Sequence, residues 1–138
     1  MAEKYRVAVV TMSDKGSMGA RIDESGPLIA SIMEEWGLAE VVETVLIPDE
    51  LETIKDTLVD LRDNKRVDMV LTTGGTGLSP RDVTPEATLA IADRNVPGIA
   101  EYIRVKSFEI TPKAMLSRAA SVMRGKTLII NLPGSPKA

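Results

Sequence analysis

The spacing of hydrophobic positions changes several times along the chain, and each change marks an element. Tyr5 to Thr11 (YRVAVVT) is a short, nearly unbroken apolar run rich in Val. A run of that length predicts a strand buried on both faces. Polar residues follow until Asp23-Glu24-Ser25-Gly26-Pro27, which opens a helix. Acids suit the positive end of a helix dipole, and Pro suits the first turn. Ile29, Ile32, Met33 and Trp36 then fall at i, i+3, i+4 and i+7, so this helix is expected to carry one core face, with Gly37 as its stop. Val41 to Ile47 reads as a second strand closed by Pro48. Leu51, Ile54, Leu58 and Leu61 predict a second helix, and Val67 to Thr72 a third strand running into Gly74-Gly75-Thr76-Gly77. The order β-α-β-α-β favours a largely parallel sheet covered on both faces, hence an α/β fold.

The second half is patterned differently. Thr84-Pro85, Val96-Pro97 and Thr111-Pro112 each have the form of a helix start, with Thr as the expected cap in two of them. Two or three short helices are therefore expected between residues 85 and 120. Val122-Met123 and Thr127 to Asn131 flank Arg124-Gly125-Lys126, which predicts a tight hairpin and an antiparallel addition to the sheet. No linker, internal repeat or second domain is visible, and 138 residues suit one domain.

Composition narrows the chemistry. With no His and no Cys, imidazole catalysis, thiol nucleophiles, disulfides and thiolate or imidazole zinc sites are excluded for this chain alone. Carboxylates, hydroxyls, Lys, Arg, backbone amides and an oxygen-bound metal remain. The net charge of −3 and only four aromatic residues (Tyr5, Trp36, Tyr102 and Phe108) argue against nucleic-acid binding. There is no apolar run of about 18 residues to span a membrane. Met1-Ala2-Glu3-Lys4 lacks the form of a signal peptide, so a cytoplasmic location is expected.

Ligands of open α/β sheets bind beyond the carboxyl ends of the strands. Those ends are Thr11 to Gly16, Pro48-Asp49-Glu50, Thr72 to Gly77 and Asn131-Leu132-Pro133-Gly134. The glycines alone leave two readings open, a backbone cradle for phosphate or a tight turn after a strand. The loop is neither a Walker A motif nor a dinucleotide fingerprint. After it, Arg81 could grip a phosphate and Asp82 could hold Mg²⁺; the alternative is a surface ion pair between them. Thr84 is expected to cap a helix. Asp49, with Glu52 three residues on, has the form of a capping box, and its second oxygen could bind a cation. Asp49 and Asp82 are the plausible Mg²⁺ ligands, which points to phosphoryl or nucleotidyl transfer. Ser13 and Asp14 read as a polar turn, and Ser117 and Arg118 as an exposed helical face. Met12, Met18, Met33, Met69, Met115 and Met123 read as core filler.

Taken together, TTGGTG, RDVTPEA, MLSR and NLPGSP, in that order within residues 70–136, resemble the molybdopterin adenylyltransferase family of molybdenum-cofactor biosynthesis (the Mog and MoaB type). Thr11-Met12-Ser13-Asp14 and Ile47-Pro48-Asp49-Glu50 are similar too, so the resemblance covers nearly the whole chain. It implies a three-layer α/β/α sandwich, a homotrimer, and adenylyl transfer from Mg-ATP to the terminal phosphate of molybdopterin, releasing pyrophosphate. The product would pass to a separate molybdate-insertion protein. By resemblance Asp49 and Asp82 are the functional acids. Ser13, Asp14, Thr73, Gly74, Gly75, Thr76, Gly77, Pro85, Glu86, Ser117, Asn131, Pro133 and Gly134 would line the pterin and nucleotide pocket. The family's chain normally continues into a further helix, so a stop at Ala138 suggests a shortened copy or one lacking that element. Three other readings stand beside the enzyme: a family member that binds molybdopterin without turnover, the related domain of competence/damage-inducible proteins, and a purely structural trimer.

Overall fold

The computed structural model describes residues 3–133. Strand β1 (Tyr5–Met12) is buried from Val7 onward, as the unbroken apolar run requires. A four-residue turn of helix, α1 (Asp14–Ser17), leads toward α2 (Ser25–Trp36). Gly37 ends α2 with φ of 80°, the left-handed geometry that glycine adopts without a Cβ clash. Then come β2 (Ala39–Ile47), α3 (Leu51–Asp63) and β3 (Met69–Thr73). The chain continues through α4 (Thr84–Ala90), the two-residue β4 (Arg94–Asn95) and α5 (Pro97–Phe108). A 3₁₀ turn (Pro112–Leu116) precedes β5 (Ser121–Arg124) and β6 (Thr127–Leu132).

The six strands form one sheet in the order β2-β1-β3-β6-β5-β4. The β1–β2, β1–β3 and β3–β6 pairs are parallel; β5 is antiparallel to β6 and β4 to β5. The expected hairpin is present. Arg124 pairs with Thr127, and Gly125 takes φ of 58°, as a two-residue turn demands. Ile54, Leu58 and Leu61 of α3 and Ala87 of α4 pack on one face of the sheet. Ile29 and Met33 of α2 and Ile99 and Ile103 of α5 pack on the other. The architecture is thus three layers, α/β/α.

Three local expectations fail. Ile32 and Trp36 stay about half exposed, at 54% and 50%; Trp36 stacks on Tyr5, centroids 6.3 Å apart, instead of entering the core. Met18 and Met115 are exposed at 82% and 61%, so they fill no core. Thr84 caps nothing: α4 begins at Thr84 itself, after Val83. Thr111 does behave as expected, its side chain accepting from the Lys113 amide. The connections β1-α2-β2 and β2-α3-β3 run over opposite faces, so the sheet's switch point lies between β1 and β3.

Candidate active site

Register carries the strand ends to one line. Thr11 lies beside Thr73, and Thr73 beside Leu132, so Met12-Ser13, Gly74-Gly75 and Pro133 leave the sheet side by side. Ser13 caps α1, its hydroxyl accepting from the Gly16 amide at 2.9 Å. Asp14 and Asp49 then lock the ends of β1 and β2 together: the Asp49 amide donates to Asp14 Oδ1 at 2.9 Å, and the Asp14 amide donates to Asp49 Oδ2 at 3.1 Å. Asp49 is therefore not the cap of α3, as the capping-box pattern suggested; Glu50 holds that position without a capping bond from its side chain to a backbone amide.

The remaining Asp49 oxygen, Oδ1, is buried and unpaired. So is Thr84 Oγ1. Both lie beneath Gly75, which has φ of 70°. A Cβ there would overlap Thr84 Oγ1 and sit 3.1 Å from Asp49 Oδ1. A Cβ on Gly74 would overlap the Met12 carbonyl oxygen, and one on Gly77 would come within 2.9 Å of Asp82 Oδ2. The glycines are needed because the loop lies flat on oxygen atoms.

Electrostatics single out the same carboxylate. Asp49 is pushed above its ordinary value by burial and by the charges of Asp14 and Asp82, against a backbone hydrogen bond and Arg81. Asp14 moves the other way, because Arg81 grips it through Nε at 2.9 Å and Nη2 at 2.8 Å. Arg81 thus pairs with Asp14 and not, as the local sequence suggested, with Asp82. Asp82 Oδ2 instead accepts from the Ser79 amide at 2.9 Å and closes the 79–82 turn.

Two cavities flank the loop. The first, about 400 Å³, is lined by Thr11, Ser13, Arg21, Asp49 and Thr73 to Gly75, among others. The second, about 250 Å³ and more apolar, has Thr76, Gly77, Ile103, Arg104, Ser117 and Pro133 in its wall. The glycine segment is the partition: its first half faces one cavity and its second half the other. Not every expected residue reaches either surface. Asn131 is fully buried; it donates to Thr72 Oγ1 and Thr88 Oγ1 and accepts from the Ala120 amide. Pro85 is buried in α4, and Glu86 is engaged by Arg118. Gly134 lies outside the described residues.

Sequence reasoning missed Arg118, read as an exposed helical position. Its guanidinium reaches back to the glycine loop and α4. No local signal marked it, because the partners of its guanidinium lie 32 to 41 positions away in the chain.

For a divalent cation, the donor set is of the right kind. Among the described residues no three acids form a ready cage. Mg²⁺ normally takes one or two carboxylates and completes its shell with substrate phosphate and water. Asp49 Oδ1, buried and without a hydrogen-bond donor, with the Asp82 charge close enough to raise its proton affinity, meets that requirement.

An open α/β sheet with a glycine loop at its switch point, bedded on a carboxylate and bordered by two cavities, defines a small-ligand-binding domain. Residues 8–138 match the family model described as a probable molybdopterin binding domain. The chain belongs to that family. It is 45% identical over 139 residues to the molybdopterin adenylyltransferase of Haemophilus influenzae, a match covering 100% of this chain and 71% of that protein. With the Escherichia coli K12 molybdopterin adenylyltransferase the identity is 46% over 138 residues, 96% of this chain and 69% of the relative. The crystal structure of the molybdopterin biosynthesis enzyme MoaB from Thermus thermophilus superposes with a TM-score of 0.90 at 48% identity, covering 96% of this chain and 83% of that one.

Proposed function

We propose that this chain is a molybdopterin adenylyltransferase of molybdenum-cofactor biosynthesis. A terminal phosphate oxygen of molybdopterin attacks the α-phosphorus of ATP; the bond from that phosphorus to the β-phosphate bridge breaks, and pyrophosphate leaves. The observation that carries the reading is the glycine partition between two cavities, resting on Asp49. It allows two phosphorylated heterocycles to lie on either side and bring their phosphates together at the loop. The reaction needs no strong side-chain base, which suits a chain without His or Cys.

In this reading, amide N–H groups of Gly74 to Gly77 hold phosphate oxygens, with Ser13 and Thr76 as further contacts. Asp49 and Asp82 would hold Mg²⁺, and the bound ion would supply neutralisation of charge on the phosphates. Arg81, exchanging Asp14 for an incoming triphosphate, grips a phosphate, and Ser117 contacts the ligand of the second cavity. A binding-only role is the weaker alternative, because both acids are present and the 45% and 46% identical relatives bear the enzyme's name. We place the reaction in the cytoplasm and the chain in a homotrimer that passes the adenylylated pterin to a molybdate-insertion protein. The exposed apolar groove of Val105, Phe108 and Met115 supports self-association. Among the described residues no helix is long and apolar enough to cross a membrane.

The direct test is incubation with molybdopterin, ATP and Mg²⁺. Pyrophosphate and adenylylated pterin are the expected products; tight pterin binding without pyrophosphate would defeat the enzymatic reading.

A further inference from the structure

Arg118 makes four hydrogen bonds, and all of them end on one stretch of chain. Its amide donates to the Thr76 carbonyl at 2.9 Å. Its guanidinium donates through Nε to the Gly77 carbonyl at 2.8 Å and through Nη2 to the Asp82 carbonyl at 2.6 Å. Nη1 pairs with the Glu86 carboxylate. Residues 76–86 are thus pinned at four points by a single side chain and its amide. Gly77, Asp82 and Glu86 belong respectively to the glycine loop, the metal-side turn and the first turn of α4. Between Thr73 and Thr84 the chain is irregular; apart from Arg118, the Thr84 amide's bond to the Gly75 carbonyl at 3.2 Å ties the glycine loop to α4, and the Asp82 turn is closed on itself by the Asp82 amide's bond to the Ser79 carbonyl at 2.9 Å.

The arginine sits next to Ser117 and Ala119, both in the wall of the second cavity. The polypeptide that shapes the second cavity therefore also sets the position of the Asp82-bearing turn, whose carboxylate lies against Gly77. A guanidinium is needed for this. It is a planar fork with donors pointing in several directions at once, and it stays charged, whereas an ammonium offers a single point of attachment. Glu86 is held below its ordinary value by that contact, so the pair is ionised across the neutral range.

We propose that Arg118 is a positioning residue for adenylyl transfer: it fixes the glycine loop and Asp82 against the second cavity's wall, so that the two substrates' phosphates meet in reactive alignment. The proposal rests on the function given above. It touches neither substrate; it acts through Gly77, Asp82 and Glu86. A misplacement of about 1 Å in such an arm is enough to lower turnover by roughly 10²-fold.

The test compares R118A, R118K and E86Q with the wild-type protein. In R118A, kcat falls by about 10²-fold while KM for ATP and for molybdopterin each stays within about three-fold, and added guanidinium ion restores at least a tenth of the lost turnover. R118K keeps an ion pair with Glu86 but loses the carbonyl contacts, so it stays more than ten-fold slow; E86Q keeps those contacts and is the least affected. Amide hydrogen exchange at residues 76–82, measured without substrate, rises in R118A and less in R118K. The proposal is overturned if folded R118A keeps kcat within about three-fold of wild type, if R118K alone restores full turnover, or if KM rises while kcat holds. Should R118A not fold, R118K and E86Q decide between the same outcomes. A wild-type protein that binds pterin but releases no pyrophosphate would defeat the enzymatic reading instead. The exchange measurement would still judge the tether: unchanged protection at residues 76–82 in R118K overturns it.

Discussion

The two ends of the parallel strands treat their polar groups in opposite ways. At the amino end the charged side chains that bridge elements find partners. The Arg6 amide donates to Asp68, its guanidinium caps the Lys65 and Arg66 carbonyls, and Thr127 Oγ1 donates to the Val67 carbonyl. Asp63 binds both Arg62 and Arg124, tying α3 to the hairpin. At the carboxyl end, Asp49 Oδ1 and Thr84 Oγ1 are buried with no partner, under glycines that leave no room for side chains. An unsatisfied buried polar atom costs about 1–3 kcal/mol. One end of the sheet is built to hold the fold, and the other keeps donors and acceptors in reserve.

Five substitutions press on that contrast. The largest effect is expected for D49N or D82N, about 10³-fold in turnover with molybdopterin binding mostly kept, read by pyrophosphate release and by pterin titration. If both variants stay active, the metal assignment is wrong. D49N also tests the sign of the electrostatics. The folded-state pKa of Asp49 is raised, so ionising it weakens the fold. D49N should be at least as stable as wild type at pH 7, and the gap should close as pH falls below about 4.

Next comes G75A, which places a methyl where Thr84 Oγ1 lies, at a φ that disfavours side chains. Turnover should drop by about 10²-fold, accompanied by strain of about 1–3 kcal/mol on unfolding in urea. Wild-type kinetics in G75A would show that the loop is only a turn. N131A reaches the interior just behind the site. It strips partners from Thr72, Thr88 and the Ala120 amide and should cost about 1–3 kcal/mol in the same urea titration.

The smallest effect belongs to the amino end. Asp63 is held below its ordinary value by Arg124 and then Arg62. Its contribution to stability is present above the unfolded aspartate value near pH 4 and is lost as pH falls through the lowered folded value. D63N should therefore melt slightly below wild type at pH 6, with the difference vanishing in strong acid, the reverse of D49N. Equal melting curves for D63N at both pH values would remove the contrast.

Much of the architecture is legible in periodicity. The Val-rich run of β1, the spacing of Ile54, Leu58 and Leu61, and Gly125 in its turn each announce an element through local chemistry. Strand order is not local: nothing in Leu128-Ile129-Ile130 says that this strand will lie against β3. The candidate site divides along the same line. The glycine loop and the two acids are readable from type and position. The reciprocal Asp14–Asp49 locks and the reach of Arg118 to Glu86 span 35 and 32 positions, and only folding brings them together. Thr84 misled because Thr-Pro is a common helix start; here Thr84 is itself the first residue of α4, and the Gly75 loop covers its hydroxyl and leaves it unpaired. Asn131 misled in the opposite sense, a strand-end amide turned inward to join three segments of the core.

The placement of β6 beside β3 has a consequence for how the molecule is made. As the chain is synthesised, β1, β2 and β3 are complete once Thr73 has been added, yet the outer edge of β3 gains its neighbour only with Thr127 to Leu132. Throughout that interval the nascent chain carries an apolar strand with an open edge, the kind of surface that pairs with other chains. The glycine loop hangs from that strand, and Thr72 behind it waits for Asn131. The nascent chain therefore passes through a stage in which residues 1–126 exist and the candidate site does not, and a chaperone that shields one strand edge would protect both.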